Sequence, residues 1–299
     1  MLNLSSCENI KDVSMLGNVE ELNLSWCTSI TDVSNLGKVK KLNLRSCDGI
    51  TDVSMLGNVK ELNLSWCKNI KDVSMLRNVE ELDLSWCTSI KDVSMLGEVK
   101  KLKLCNLYFI KNIYGLENLK NLDLSNCKNI YEINSICNNK KINFTGCSLK
   151  DLSMLINVEE INLSECKRII DVSFLRKVKK NLSNCNIIDV SQLGNCEELN
   201  LSECHNIKDV SMLGKVKKLN LSYCKNIKDV SMLGNCEELD LSFCHGISDV
   251  SKLGNVFNLN LNGCIYIRDV SMLGNVKKLN LSLCDGITDI SMLRNIKFS

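Results

Sequence analysis

Cysteine returns along this chain at an interval of twenty residues, in places nineteen: Cys7, Cys27, Cys47, Cys67 and Cys87, then, after a gap, Cys127, Cys147, Cys166, Cys185, Cys204, Cys224, Cys244, Cys264 and Cys284. Each sits in nearly the same phrase, of which Val19–Lys38 (VEELNLSWCTSITDVSNLGK) is a clean copy. A unit this short cannot enclose an apolar face by itself, so its copies must stack and cover one another. That requirement excludes most globular architectures and leaves a solenoid.

Within Val19–Lys38, Leu22 and Leu24 alternate with Glu21, Asn23 and Ser25, which predicts a short half-buried strand. The spacing Leu-x-x-Leu-x-Leu-x-x-Cys-x-x-Leu, with Val or Ile at its ends, fits fifteen registers and resembles the leucine-rich repeats. The ITDVSxL stretch is similar to internalin-like and phosphatase-regulator types, and Cys in place of Asn to the cysteine-containing type. The resemblance implies an α/β-class solenoid, a right-handed curved horseshoe with a parallel sheet on its concave face. We read residues 1–299 as a single domain of about fifteen repeats, degenerate around 103–139 and without clear terminal caps.

Only eight residues separate Ile30 from the next consensus valine, Val39, too few for a return helix, so the convex side is expected to be turns or 3₁₀ segments. Asp32 and Ser34 suit the start of such a turn. Asp holds that place in 13 of 15 repeats, Asn112 and Glu132 being the exceptions. Gly37 recurs less strictly: Arg77, Glu117, Cys137, Ile156, Arg176 and Arg294 replace it, so positive φ is not required there.

Lys plus Arg is 37 and Asp plus Glu 35, a balance that gives no general attraction to nucleic acid or to a membrane surface. The opening residues MLNLSSCENI already form a repeat and lack the basic and apolar regions of a signal peptide. Equivalent thiols on a parallel ladder point the same way, a poor geometry for disulfides. Asn-x-Ser/Thr sequons at Asn3, Asn23, Asn63, Asn143, Asn162, Asn181, Asn200, Asn220 and Asn280 fall on expected strands rather than loops. Both features point to a reducing cytoplasmic setting, or the nucleus, and not to secretion.

Paired like charges precede most strands, though not at Lys60-Glu61, Lys120-Asn121 or Phe257-Asn258, and alternate strictly in sign from Glu159 to Glu238, which predicts cross-strand ion pairs. Lys100 to Lys141 interrupts this with a cationic run. Asn23 and its counterparts are expected to hydrogen-bond along their column. The thiols are expected to pack as small apolar groups that donate weakly. His205 and His245 read as surface residues, not metal ligands. A uniform ladder of Ser and Asn is the opposite of a differentiated catalytic pocket, so we expect no enzyme, no cofactor and no metal.

Function should lie where copies diverge at exposed positions. Just before the column cysteine stand Trp26, Trp66 and Trp86, then Tyr223, Phe243 and Leu283, on the rim of the strand face. Trp and Tyr dominate binding hot spots. We take Trp26, Trp66, Trp86, Tyr223 and Phe243 as partner-binding residues, with Glu80 and Glu81 beside Trp66 and Trp86 in the best contact patch. A second divergent stretch is Lys103–Asn139, where Leu107 replaces the column cysteine, Cys105 is expected to be an accessible thiol, and Tyr108, Phe109, Tyr114 and Tyr131 appear.

Three spacing lapses add to this. Cys147 to Leu149 and Cys185 to Ile187 use a shortened turn, and at Lys179–Lys180–Asn181–Leu182 one strand residue is missing. A one-residue slip would turn Lys180 inward, so a bulge or gap is expected there instead of a buried lysine. At the ends, Leu2, Leu4, Ile296 and Phe298 are expected to face solvent or fray, leaving end-to-end self-association open. The expected function is a non-enzymatic scaffold that binds a protein through the concave face and its rim. The resemblance also implies two alternatives, the substrate-recognition arm of a ubiquitin-ligase-like complex and a phosphatase-regulator-like module; no F-box-like helical segment accompanies the first.

Overall fold

The computed structural model describes residues 1–299 except 131, 132, 137, 151, 154, 156, 157, 174, 176–178, 294–296 and 299. The sequence readings at Tyr131, Glu132, Cys137, Ile156, Arg176, Arg294 and Ile296, and at the Phe298 side chain, lie outside the described residues. Two compact units emerge, Met1–Leu149 and Lys150–Ser299.

The first unit is a ladder of short parallel strands in chain order: β1 (Leu2–Asn3), β2 (Glu21–Asn23), β3 (Lys41–Asn43), β4 (Glu61–Asn63), β5 (Glu81–Asp83), β6 (Lys101–Lys103), β7 (Asn121–Asp123) and β8 (Lys141–Asn143). Register is uniform, with Leu22 opposite Leu42 and Leu42 opposite Leu62. The second unit repeats the scheme with β9 (Glu160–Asn162), β10 (Lys179–Asn181), β11 (Glu198–Asn200), β12 (Lys218–Asn220), β13 (Glu238–Asp240), β14 (Asn258–Asn260), β15 (Lys278–Asn280) and β16 (Lys297–Phe298). Its in-register column runs through Leu199, Leu219 and Leu239. The period-2 reading holds: Leu22 and Leu24 are buried while Glu21 and Asn23 stay partly exposed.

The side opposite the strands is made of 3₁₀ segments, with plain turns at Tyr114–Gly115 and Ser251–Lys252. Ser34–Leu36 is one, closed by Leu36 N–H donating to Val33 O at 3.0 Å. Asp32 Oδ1 opens it by accepting the Ser34 N–H at 2.9 Å. Glycine at the next position serves close approach, not left-handed backbone. Gly37 has φ −63°, and a Cβ there would come within 2.3 Å of Met55 O on the following rung. Where Arg77 replaces it, the 3₁₀ segment lengthens to Ser74–Asn78. The two shortened turns are accommodated, since Leu149 and Ile187 are buried as Ile30 is. Among the described residues no helix is long and apolar enough to cross a membrane.

The thiol column does more than pack. Cys27, Cys47, Cys67 and Cys87 are fully buried and unpaired with one another. Each donates its S–H to the leucine carbonyl of the preceding rung: Cys47 Sγ to Leu24 O at 3.1 Å and Cys67 Sγ to Leu44 O at 3.1 Å. Leu24 O also accepts the Cys27 N–H at 3.1 Å, so both of its lone pairs are engaged. Cys7 is exposed, and Cys105 is only partly so.

Two expectations need correction. The amide column does not chiefly bond along the stack: Asn23 Oδ1 accepts the Ser25 N–H at 3.0 Å and Asn63 Oδ1 the Ser65 N–H at 2.9 Å. Those local bonds end the strand by turning the chain, a short-range option open to Asn and Asp. A bond between rungs does occur from Asn260 Nδ2 to Asp240 Oδ2 at 3.1 Å. The missing residue near Lys180 produces neither bulge nor gap within β10. Lys180 pairs in register with Ile161 and Leu199 and is buried in the leucine column. It is tolerated because its amine donates to Leu175 O and to Cys196 Sγ.

Asn139 is the other polar intruder, standing where Val39 and Val59 stand in their rungs. It is fully buried, and neither its Oδ1 nor its Nδ2 has a hydrogen-bond partner. An unsatisfied buried polar group costs ~1–3 kcal/mol. Asn139→Val is therefore expected to raise stability by about that amount in urea denaturation; an unchanged or lower midpoint would contradict the burial.

Candidate protein-binding surface

Each strand ends in a sharp reversal, and the reversal places one residue at positive φ just before the column cysteine. Ser6, Ser46, Asn106, Asn126 and Asn184 take φ between 56° and 62°, and Gly146 and Gly263 take 69°. The aromatic residues occupy this same position: Trp26 at 65°, Trp66 at 68°, Trp86 at 66°, Tyr223 at 61° and Phe243 at 57°. Gly and Asn enter this region readily, whereas a bulky side chain there is an outlier. Each aromatic is held against its backbone preference at a cost of ~1–3 kcal/mol.

Rung spacing near 4.8 Å is close to ring-stacking distance. In the first unit Trp66 and Trp86 stack with centroids 4.5 Å apart and planes 14° from parallel. Tyr108 meets Trp86 edge-on at 6.1 Å, and Lys68 Nζ lies 5.7 Å from the Trp66 ring. In the second unit Tyr223 and Phe243 stack at 4.7 Å, and His245 meets Phe243 edge-on at 6.4 Å. Trp26 has only Ser6 and Ser46 at the equivalent position of adjacent rungs and is 51% exposed. Leu283 holds the same place without a ring and is 61% exposed. Lys68, Tyr108 and His245 were not among the expected contact residues. Their signal is positional: all three occupy the place right after the column cysteine or its replacement, Leu107.

The strand face itself carries paired charges. In the first unit Lys40 meets Glu20 at 2.5 Å, Lys41 meets Glu61 at 3.0 Å, Lys100 meets Glu80 at 2.9 Å, and Lys101 contacts Glu81. In the second, Lys218 meets Glu238 at 2.9 Å. Lys40 and Lys100 hold the carboxyls of Glu20 and Glu80 below the usual range, and Glu61 raises Lys41. These are exposed pairs of small energy. Their consequence is that Lys100 and Lys101, which begin the cationic run, are already neutralised. Glu80 and Glu81 stand at the start of β5, whereas Trp86 follows its end on the strand-end turn. They belong to the opposite edge of the face from the aromatics, so the expected patch divides into an acidic edge and an aromatic rim. Between them, a groove of about 440 Å³ runs over Asn23, Asn43, Asn63 and Asp83, bordered by Lys41, Glu61 and Lys101.

His205 Nδ1 lies 3.1 Å from Tyr223 O and is exposed, as a surface residue. Among the described residues no group of three or more His, Cys, Asp or Glu is placed to hold a metal.

Known proteins share this architecture. A family model described as Leucine Rich repeat matches residues 18–34, 58–76 and 76–96. An internalin from Listeria monocytogenes superposes with TM-score 0.58 at 20% identity, covering 90% of this chain and 83% of its own. A TLR13–ssRNA13 complex gives TM-score 0.61 at 17% identity, covering 92% of this chain and 50% of its own. The plant peptide hormone receptor RGFR1, in complex with RGF2, gives TM-score 0.50 at 14% identity, covering 97% of this chain and 68% of its own. Comparison with curated proteins finds no matching sequence.

Proposed function

Because the chain is a leucine-rich-repeat solenoid, we propose that it is a non-enzymatic scaffold that binds another protein through its concave face and aromatic rim. The observation that carries this reading is the placement of Trp26, Trp66, Trp86, Tyr223 and Phe243 at left-handed backbone positions. Other rungs fill that position with Gly or Asn at lower backbone cost, or with Ser, and Glu165, Glu203 and Leu283 share the left-handed backbone without a ring. Rings retained against that cost, in stacked pairs and partly open to solvent, are suited to hot-spot contacts. Glu80 and Glu81 add a paired acidic edge that sets orientation more than affinity. Self-neutralised charges and near-zero net charge favour a protein partner over a polyanion.

The same fold supports a reducing cytoplasmic or nuclear setting for this proposal. Column thiols are free and buried, and Asn23, Asn63, Asn162, Asn200 and Asn220, the acceptors of each sequon, hold strand-end N–H groups.

The test replaces Trp66 and Trp86 together by Asn, the residue native at 106, 126 and 184. We expect a fold at least as stable as wild type and partner binding weakened by about 30-fold or more, as for loss of a hot spot. Equal capture and equal affinity of the same partners by both proteins would remove the rim from the binding surface.

A further inference from the structure

Lys180 is the one charged side chain buried among the described residues, at 4% exposure. The shortened rung puts it in a column otherwise filled by Ile161 and Leu199. On the next rung Cys196 replaces the valine found at Val39 and Val216, and it too is buried. The two departures converge: Lys180 Nζ lies 2.9 Å from Cys196 Sγ and also donates to Leu175 O. Cys236 makes the same valine replacement, but Leu219 stands where Lys180 would have to be, so that thiol has no amine beside it. The pair is thus a nucleophilic amine and an oxidisable sulfur in contact, away from the rim and the strand face.

We propose that Lys180 and Cys196 form a redox-sensitive modification site, which hydrogen peroxide converts to a covalent N–S sulfenamide link. Cys196 Sγ attacks one peroxide oxygen, with Lys180 taking the thiol proton. An S–O bond forms and the O–O bond breaks; the departing hydroxide takes the proton from the Lys180 ammonium and leaves as water, and the sulfur is oxidised to a sulfenic acid. The amine, once neutral again, attacks that sulfur: an N–S bond forms, the S–O bond breaks, and the hydroxyl leaves as water with one amine proton. Overall, amine, thiol and one peroxide give the sulfenamide and two waters. A thiol reductant reverses the link, restoring both side chains and forming its own disulfide. Burial favours the uncharged amine, whose proton affinity is lowered chiefly by desolvation. Exclusion of bulk water also protects the sulfenic acid long enough for condensation.

The experiment treats the full-length protein with graded hydrogen peroxide, blocks free thiols, digests it and maps peptides by mass spectrometry. We expect a Lys180–Cys196 linked peptide lacking two hydrogens relative to the separate peptides, lost on adding reductant. Lys180→Met and Cys196→Val, which restores the residue of the valine column, should each abolish it while keeping the wild-type circular dichroism. Recovery of Cys196 as free thiol or sulfinic acid, with an unlinked Lys180, at peroxide levels that oxidise exposed Cys7 would overturn the proposal. A linked peptide that retains an oxygen would overturn the condensation step.

Discussion

Above pH 9 the protein is expected to lose stability steeply, because its buried thiols resist ionisation that the unfolded chain allows. Burial pushes Cys47, Cys87 and Cys127 up to about 12, from an unperturbed 9.0, and pushes Cys67 up as well. In the second unit Cys185, Cys224 and Cys264 rise to about 12 and Cys236 to about 11. Below pH 9 folded and unfolded chains both keep these protons, and the thiols' contribution is fully present. Between 9 and about 12 the unfolded chain releases them while the folded chain does not, so stability falls with each step in pH. Each thiol contributes a slope of about 1.4 kcal/mol per pH unit. Because the unfolded thiols are only half ionised at pH 9, four in the first unit remove about 4 kcal/mol between pH 9 and 10, comparable with the whole stability of many domains. Urea midpoints at pH 8, 9 and 10 under reductant would measure it. Cys67→Ala with Cys87→Ala should flatten the slope by about 3 kcal/mol per pH unit; an unaltered slope would mean that the column is wet.

Lys180→Met is expected to stabilise the protein by about 1–4 kcal/mol at neutral pH, the range seen when buried charged networks give way to packed apolar groups. The buried amine displaces a leucine-type side chain between Ile161 and Leu199 and has only Leu175 O and Cys196 Sγ as partners. Its pH dependence runs opposite to that of the thiols. Desolvation lowers the folded-state affinity of Lys180 for its proton below the ordinary 10.5. In that window the unfolded chain binds the proton and the folded chain does not, so the wild-type penalty is greatest at low pH and shrinks as pH rises toward 10.5. The advantage of Lys180→Met over wild type should shrink in step. A variant less stable than wild type at pH 7 would show that the amine is a net support of its rung.

Periodicity made the architecture readable before any coordinates. Leu22, Leu24, Cys27 and Ile30 fall on the core because a short stacked unit has no other way to cover them, and Asp32 begins the 3₁₀ turn as its side chain allows. What the pattern concealed were interactions between copies. Gly37 looked like an optional conformational glycine, but its reason is the carbonyl of Met55, eighteen residues away. The thiol looked like a small packing group because S–H is a weak donor; only the stacked geometry reveals Leu24 O waiting for Cys47. Lys180 was misjudged for a related reason. Sequence spacing shows which face a residue must take, but not whether a carbonyl and a thiol stand close enough to receive an amine. The rim aromatics were legible as a divergent position, while their left-handed backbone was not, since Trp66 carries no sign of the φ its neighbours impose.

The thiol-to-carbonyl bonds reach back 23 residues in full-length rungs and 22 where a rung is shortened, always to the copy before. Each block that keeps the cysteine thus brings one donor for its predecessor and offers one acceptor to its successor; the rung with Leu107 breaks the series. Unequal crossing-over between such blocks would lengthen or trim the array in whole steps and regenerate the same bond at the new junction. Array length is in this way decoupled from the internal bonding of any block, leaving the rim residues to vary one copy at a time.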